Sequence, residues 1–80
     1  MAKVVFPDNY LGITGGEREI QTNALNYRDL IVELKKRWPD LDDLLEKTAV
    51  AIDGQIYQDA LLEPIGPTSE VFFMPRIEGG

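Results

Sequence analysis

The sequence predicts an α+β domain in which one main helix crosses a small mixed sheet of about four to five strands. A single stretch from Asn26 to about Trp38 has a helical apolar period, and short β-branched or aromatic runs lie on both sides of it. Each run is closed by proline, by glycine or by an Asp-Gly pair. With 80 residues the chain makes one domain, of a size that buries roughly 60 to 65% of its unfolded surface. Hydrophobic residues at 44% supply one core, and 28% charged residues argue against disorder.

Lys3-Val4-Val5-Phe6 reads as the first strand, stopped by Pro7. Residues 7 to 17 read as a loop that opens on Pro7-Asp8-Asn9 and turns at Gly15-Gly16. Glu17 to Thr22 alternates, with Arg18, Ile20 and Thr22 on one side. It reads as an edge strand that pairs back on the first to make an N-terminal hairpin.

In the helix, Tyr27, Leu30, Ile31, Leu34 and Trp38 form one apolar stripe. Asn26 is placed to cap it, Asp29 sits near its positive end, and Leu25 with Leu30 occupies the positions of a hydrophobic staple. Lys35, Lys36 and Arg37 complement the C-terminal dipole or offer a docking patch, and Pro39 ends the segment. Asp40, Asp42, Asp43 and Glu46 lack the alternating ligands and central glycine of a calcium loop. They fit better as first-turn acids of a short helical turn that carries Leu41, Leu44 and Leu45.

Thr48 to Ile52 is the third strand, and Asp53-Gly54 is a two-residue hairpin turn into Gln55-Ile56-Tyr57. Asp59 can cap a turn through Ala60-Leu61-Leu62, and Pro64, Gly66 and Pro67 make an irregular connection. Glu70 to Met74 is the last strand, broken by Pro75. Within it Val71 and Phe73 point to one face and Phe72 and Met74 to the other. A single helix covers one face of a sheet, so one of these pairs either forms an exposed partner surface or fills a small core. Residues 1–75 are expected to form the domain and residues 76–80 an extended, flexible tail.

Composition excludes several functions. With no cysteine and no histidine, the chain has no disulfide, zinc finger, thiol nucleophile or imidazole base. A net charge of -6 disfavours a nucleic-acid partner. The longest apolar runs, Ala49 to Ile52 and Val71 to Met74, are four residues each, against the roughly 20 that a spanning helix needs. No secretory signal is recognisable at the start, so the expected location is cytoplasmic.

The sequence ends on Arg76-Ile77-Glu78-Gly79-Gly80. Two glycines at the last two positions arise by chance in on the order of one chain in two hundred. Lacking Cβ, Gly79 and Gly80 can thread a channel too narrow for side chains and carry the Gly80 carboxylate to another protein's active site.

This element order with a Gly-Gly end resembles the MoaD/ThiS family of ubiquitin-like sulfur carriers, with the molybdopterin synthase small subunits as the nearest branch. The resemblance spans essentially the whole chain. Ala51-Ile52-Asp53-Gly54-Gln55 is similar to the family's hairpin, and Glu70-Val71-Phe72-Phe73-Met74-Pro75 followed by Gly79-Gly80 is similar to its last strand and terminus. It implies a ubiquitin-like β-grasp fold and a non-catalytic role. An E1-like enzyme would use ATP and Mg²⁺ to adenylate Gly80, and sulfur would displace AMP to leave a thiocarboxylate. Gly79 would supply tail flexibility. Phe72, Phe73, Met74, Pro75, Arg76, Ile77 and Glu78 would contact partners, namely the activating enzyme and the molybdopterin synthase large subunit or an analogous acceptor. No cofactor or metal would be bound by this chain. Arg76 stands where that branch usually has a second proline, and Pro67-Thr68-Ser69-Glu70 replaces a commoner Gly-Asp-Glu. Thiamine, cysteine or another metabolite therefore remain alternative destinations for the sulfur, and a protein modifier or a passive β-grasp interaction domain remain alternative functions.

Overall fold

A computed structural model describes residues 1–76 of the chain. The elements in order are β1 (Ala2–Val5), a 3-10 turn (Asp8–Tyr10), α1 (Leu11–Thr14), β2 (Glu19–Thr22), α2 (Tyr27–Arg37), a second 3-10 turn (Pro39–Leu41), α3 (Asp42–Glu46), β3 (Thr48–Ile52), β4 (Gln55–Tyr57) and β5 (Glu70–Pro75). The strands form one five-stranded sheet in the order β2-β1-β5-β3-β4. β5 runs parallel to β1 and antiparallel to β3, while β1–β2 and β3–β4 are antiparallel hairpins. The predicted α+β architecture is therefore present. Among the described residues, no helix is long and apolar enough to cross a membrane.

The helix α2 forms where its period and caps place it. The Asn26 side chain accepts from the Asp29 amide at 2.8 Å, and Tyr27, Leu30 and Leu34 are buried against the sheet. The staple does not form: Leu25 is 74% exposed, while its carbonyl accepts from the Ile65 amide. That segment is held instead by backbone bonds to the 61–65 stretch, including Tyr27 N–H to the Glu63 carbonyl and Arg28 N–H to that of Leu61. These bonds set the entry angle of the helix and turn Leu25 outward. Two of the three cations at the end of α2 are engaged within the domain. Lys35 pairs with Asp42, and Arg37 pairs with Glu17 while its guanidinium lies 4.3 Å from the Trp38 ring centre.

The stretch 7–17 is more ordered than the loop the sequence suggests. It holds the first 3-10 turn and α1, which closes on left-handed Gly15 (φ 73°), and it buries Tyr10 completely. Tyr10 joins a cluster in which Phe6, Tyr10 and Phe73 stack at ring separations of 5.7 to 6.0 Å, with Trp38 edge-on to Phe6. The Tyr10 hydroxyl lies 2.7 Å from Thr48 Oγ1, whose own proton goes to the Leu44 carbonyl. Tyr10 is thus the donor in that pair, and burial raises its phenolic pKa. A four-residue helix cannot persist alone, so this burial is what holds α1.

The β3–β4 turn is the predicted Asp53-Gly54 pair, with both residues at positive φ (50° and 84°). Its side chain does more than turn the chain. Asp53 accepts from the Glu70 amide at 2.9 Å and from the Ser69 hydroxyl at 2.8 Å, and Ser69 Oγ in turn accepts from the Gly66 amide. This ties the hairpin to the first residue of β5. The bonds from Glu70 and Ser69 hold the Asp53 carboxyl below its ordinary value of 3.8. The stabilisation it brings is complete above that ordinary value and drains away as pH falls through the lower, folded-state value. Asn tolerates positive φ but cannot accept at both sites as a carboxylate does. Asp53→Asn is therefore expected to be less stable than the parent protein at pH 7, with the gap narrowing on acidification. Denaturant unfolding at a series of pH values measures this, and a gap that does not change with pH would refute the assignment.

Candidate functional site

β5 supplies both the core and the site. Val71 and Phe73 point inward, and Phe72 and Met74 line the face that α2 leaves uncovered. Strand register extends that outer face into a row. Val5, Phe72, Ala51 and Ile56 lie side by side across β1, β5, β3 and β4, and Met74 sits opposite Ala49 in the next row. Phe72 is 39% and Ile56 62% exposed. Ala49 and Ala51 are small enough to be covered by the larger neighbours, and they lie outside the main core cluster. The result is an apolar strip across the sheet.

The strip runs toward the end of β5 where the chain leaves the domain. Pro75 is inside this strand, paired with Thr48, rather than breaking it. The Arg76 amide donates to the Lys47 carbonyl at 3.1 Å, so by alternation the imide nitrogen of Pro75 faces the β1 side. There the register with β1 has ended at Val5–Phe72, and no ladder bond is lost. The Arg76 guanidinium donates to the Gln58 carbonyl at 2.7 Å.

Of the expected partner-contacting residues, Phe72 and Met74 line this face and Arg76 follows them on the same side of the strand, while Pro75 is exposed on the Phe73 side. Phe73 does not reach the surface: it is 5% exposed and packs against both Phe6 and Tyr10, so its place is in the core. Ile77, Glu78, Gly79 and Gly80 lie outside the described residues. Sequence reading passed over Val5, Ile56 and the two alanines of β3 as members of the strip. A signal existed for Ile56, since a two-residue Asp-Gly turn pairs Ile52 with Gln55 and Ala51 with Ile56. Among the described residues no cluster of acidic, histidine or cysteine side chains could hold a metal. Two surface hollows, of about 210 and 240 Å³, fall below the roughly 300 Å³ at which small-molecule pockets begin. The first lies by Met1, Thr22 and Pro67, at the end of the sheet opposite Pro75. The geometry is that of an open apolar sheet face beside the C-terminal end of β5.

The class of protein is a ubiquitin-like β-grasp domain, with a mixed sheet, one crossing helix and one open sheet face. No protein-family model matches the chain, and no curated protein matches it. Solved structures match it in shape. A chain in the crystal structure of the Amycolatopsis orientalis BexX/CysO complex superposes with a TM-score of 0.82 at 17% identity, covering 100% of this chain and 100% of that one. The solution structure of small archaeal modifier protein 1 (SAMP1) from Methanosarcina acetivorans gives 0.81 at 17% identity, over 99% of this chain and 95% of that one. A Pyrococcus furiosus protein provisionally designated molybdopterin converting factor, subunit 1, gives 0.70 at 24% identity, over 95% of this chain and 97% of that one. The likeness to the MoaD/ThiS type that the sequence suggests thus holds in the fold.

The two neighbouring phenylalanines of β5 separate site from scaffold. Phe73→Ala is expected to cost about 3 to 5 kcal/mol, enough to unfold much of so small a domain. Phe72→Ala is expected to cost about 1 kcal/mol or less. Thermal and denaturant unfolding of the two variants checks this, and equal losses would show that Phe72 is part of the core.

Proposed function

We propose that this chain is a sulfur carrier whose Gly80 carboxylate is activated and converted to a thiocarboxylate, with the sulfur passing to a pterin precursor in molybdopterin (molybdenum cofactor) synthesis. The observation that carries the reading is the continuity of the apolar strip with the root of a Gly-Gly tail, on a domain with neither thiol nor imidazole. A carboxylate is a poor electrophile. In the first step its oxygen attacks the α-phosphorus of ATP on an E1-like enzyme, with Mg²⁺ held by that enzyme, and pyrophosphate leaves. Hydrosulfide or its equivalent from a sulfur donor then attacks the acyl carbon, AMP leaves, and the thiocarboxylate remains. Catalysis belongs to the partners. This chain binds no cofactor and contributes the reactive end, Gly79 being small enough to follow Gly80 into a narrow channel. Phe72, Met74, Ile56 and Val5 give the activating enzyme and the acceptor subunit a common apolar face to dock on, and Ile77 and Glu78 add partner contacts of their own. ATP and such enzymes are at hand in the cytoplasm.

Support for the acceptor comes from the likeness to the Pyrococcus protein designated a molybdopterin converting factor subunit. The likeness to a chain of the BexX/CysO complex supports a carrier that works by binding another protein. The SAMP1 likeness favours a second reading, in which the activated Gly80 is joined to lysine amines of other proteins.

Co-expression with the host's E1-like enzyme, thiol alkylation and intact-mass measurement tests the proposal. No cysteine is present to react, so the expected outcome is a single label on a mature chain that ends at Gly80, lost in a Gly80 deletion that still folds. Unlabelled protein beside a demonstrably active enzyme would overturn the carrier reading. Conjugates carrying a Gly80 isopeptide bond would replace it with the modifier reading.

A further inference from the structure

From Phe73 onward, β5 has lost its β1 neighbour and is held by β3 on one side. A strand end paired on one side frays readily, yet two bonds hold this one. The Arg76 backbone amide adds a last rung to the Lys47 carbonyl at 3.1 Å. Its side chain then reaches past β3 to the residue that follows β4, where the guanidinium donates to the Gln58 carbonyl at 2.7 Å. Neighbouring strands are about 4.8 Å apart, so the contact joins chain segments that no single ladder bond could span. A charged donor on a carbonyl is stronger than a neutral pair. Four other cations are matched by carboxylates: Lys3 by Glu70, Arg18 by Asp8, Lys35 by Asp42 and Arg37 by Glu17. For Arg76 the acceptor is a backbone carbonyl beside the exit point of the chain.

We propose that Arg76 is a positioning residue for the tail: its double attachment to Lys47 and Gln58 sets the direction in which the chain leaves the sheet, and so where Gly80 is delivered. The role rests on the carrier reading given above. Four residues beyond Arg76 extend at most about 14 Å. A free pivot at Arg76 would spread Gly80 over the whole cap of that radius, and the partner would have to order it on insertion. A fixed pivot removes part of that ordering cost before the partner arrives. Lysine in place of Arg76 keeps the charge and one donor direction, and methionine keeps only the apolar stem.

The test compares the parent protein with Arg76→Met and Arg76→Lys. In the isolated proteins, amide ¹⁵N relaxation reads the order of positions 74, 76 and 77. In the presence of ATP and the host's E1-like enzyme, initial rates of pyrophosphate release read KM and kcat for the carrier. Arg76→Met is expected to lower the order parameters at positions 76 and 77. It should also raise KM about five- to ten-fold, the equivalent of fixing one residue's backbone, with kcat unchanged. Arg76→Lys should fall between. The melting temperature is expected to move little, because the site is exposed. Unchanged order parameters would overturn the tether. A raised KM without loss of order would also overturn it, by pointing to direct recognition of the guanidinium by the enzyme. Parent-like KM despite lost order would show that the tether does not position the tail. A parent protein that the active enzyme does not adenylate would defeat the carrier reading, and with it the role assigned to Arg76. That result is distinguishable from a variant that merely behaves like the parent.

Discussion

The placement of β5 between β1 and β3 constrains everything else in this domain. A parallel neighbour cannot be reached by a hairpin, so the chain must travel from one half of the sheet to the other, and α2 makes that crossing over one face. The inward residues of β5, Val71 and Phe73, then meet Val4 of β1 and Ile52 and Val50 of β3 across the register. Phe73 also meets the rings of Phe6, Tyr10 and Tyr27. Because side chains alternate along a strand, the same pairing sends Phe72 and Met74 outward. Building the core therefore also places these two side chains on the open face.

Both ends of β5 are pinned by groups from elsewhere in the chain. At its start, Asp53 captures the Ser69 hydroxyl and the Glu70 amide. Near its end, Thr48 pairs with Pro75 while its hydroxyl is held by Tyr10 and Leu44, and Arg76 is carried by Lys47 and Gln58. A reactive group presented on a chain end needs a rigid origin, since imprecision at the root is magnified along the tail. The buried polar side-chain atoms among the described residues all have partners, which is what a core this small requires.

Eighty residues make a core and a surface, and little room is left for an enclosed site. An exposed apolar strip carries a risk of self-association, and the net charge of -6 offsets that risk by repulsion between copies. The same acidity suits a partner whose docking face is apolar with a basic rim.

Much of this was legible in the residues. The stripe and Asn26 cap of α2, the Asp53-Gly54 turn, the β1–β2 pairing and the alternation in β5 are encoded by neighbours within a few positions, where helical and strand periods act. The Gly-Gly end, the feature that first suggests a function, is likewise local. Tertiary structure decided the rest. Burial of Tyr10 orders a stretch with no helical period long enough to stand alone. Bonds from the 61–65 segment turn Leu25 outward, and loss of the β1 neighbour lets Pro75 stay in its strand. Which face of β5 lies under α2, and that Arg76 meets Gln58, depend on the order of strands in the sheet. That order is set by contacts between residues far apart in sequence, and no local period records it.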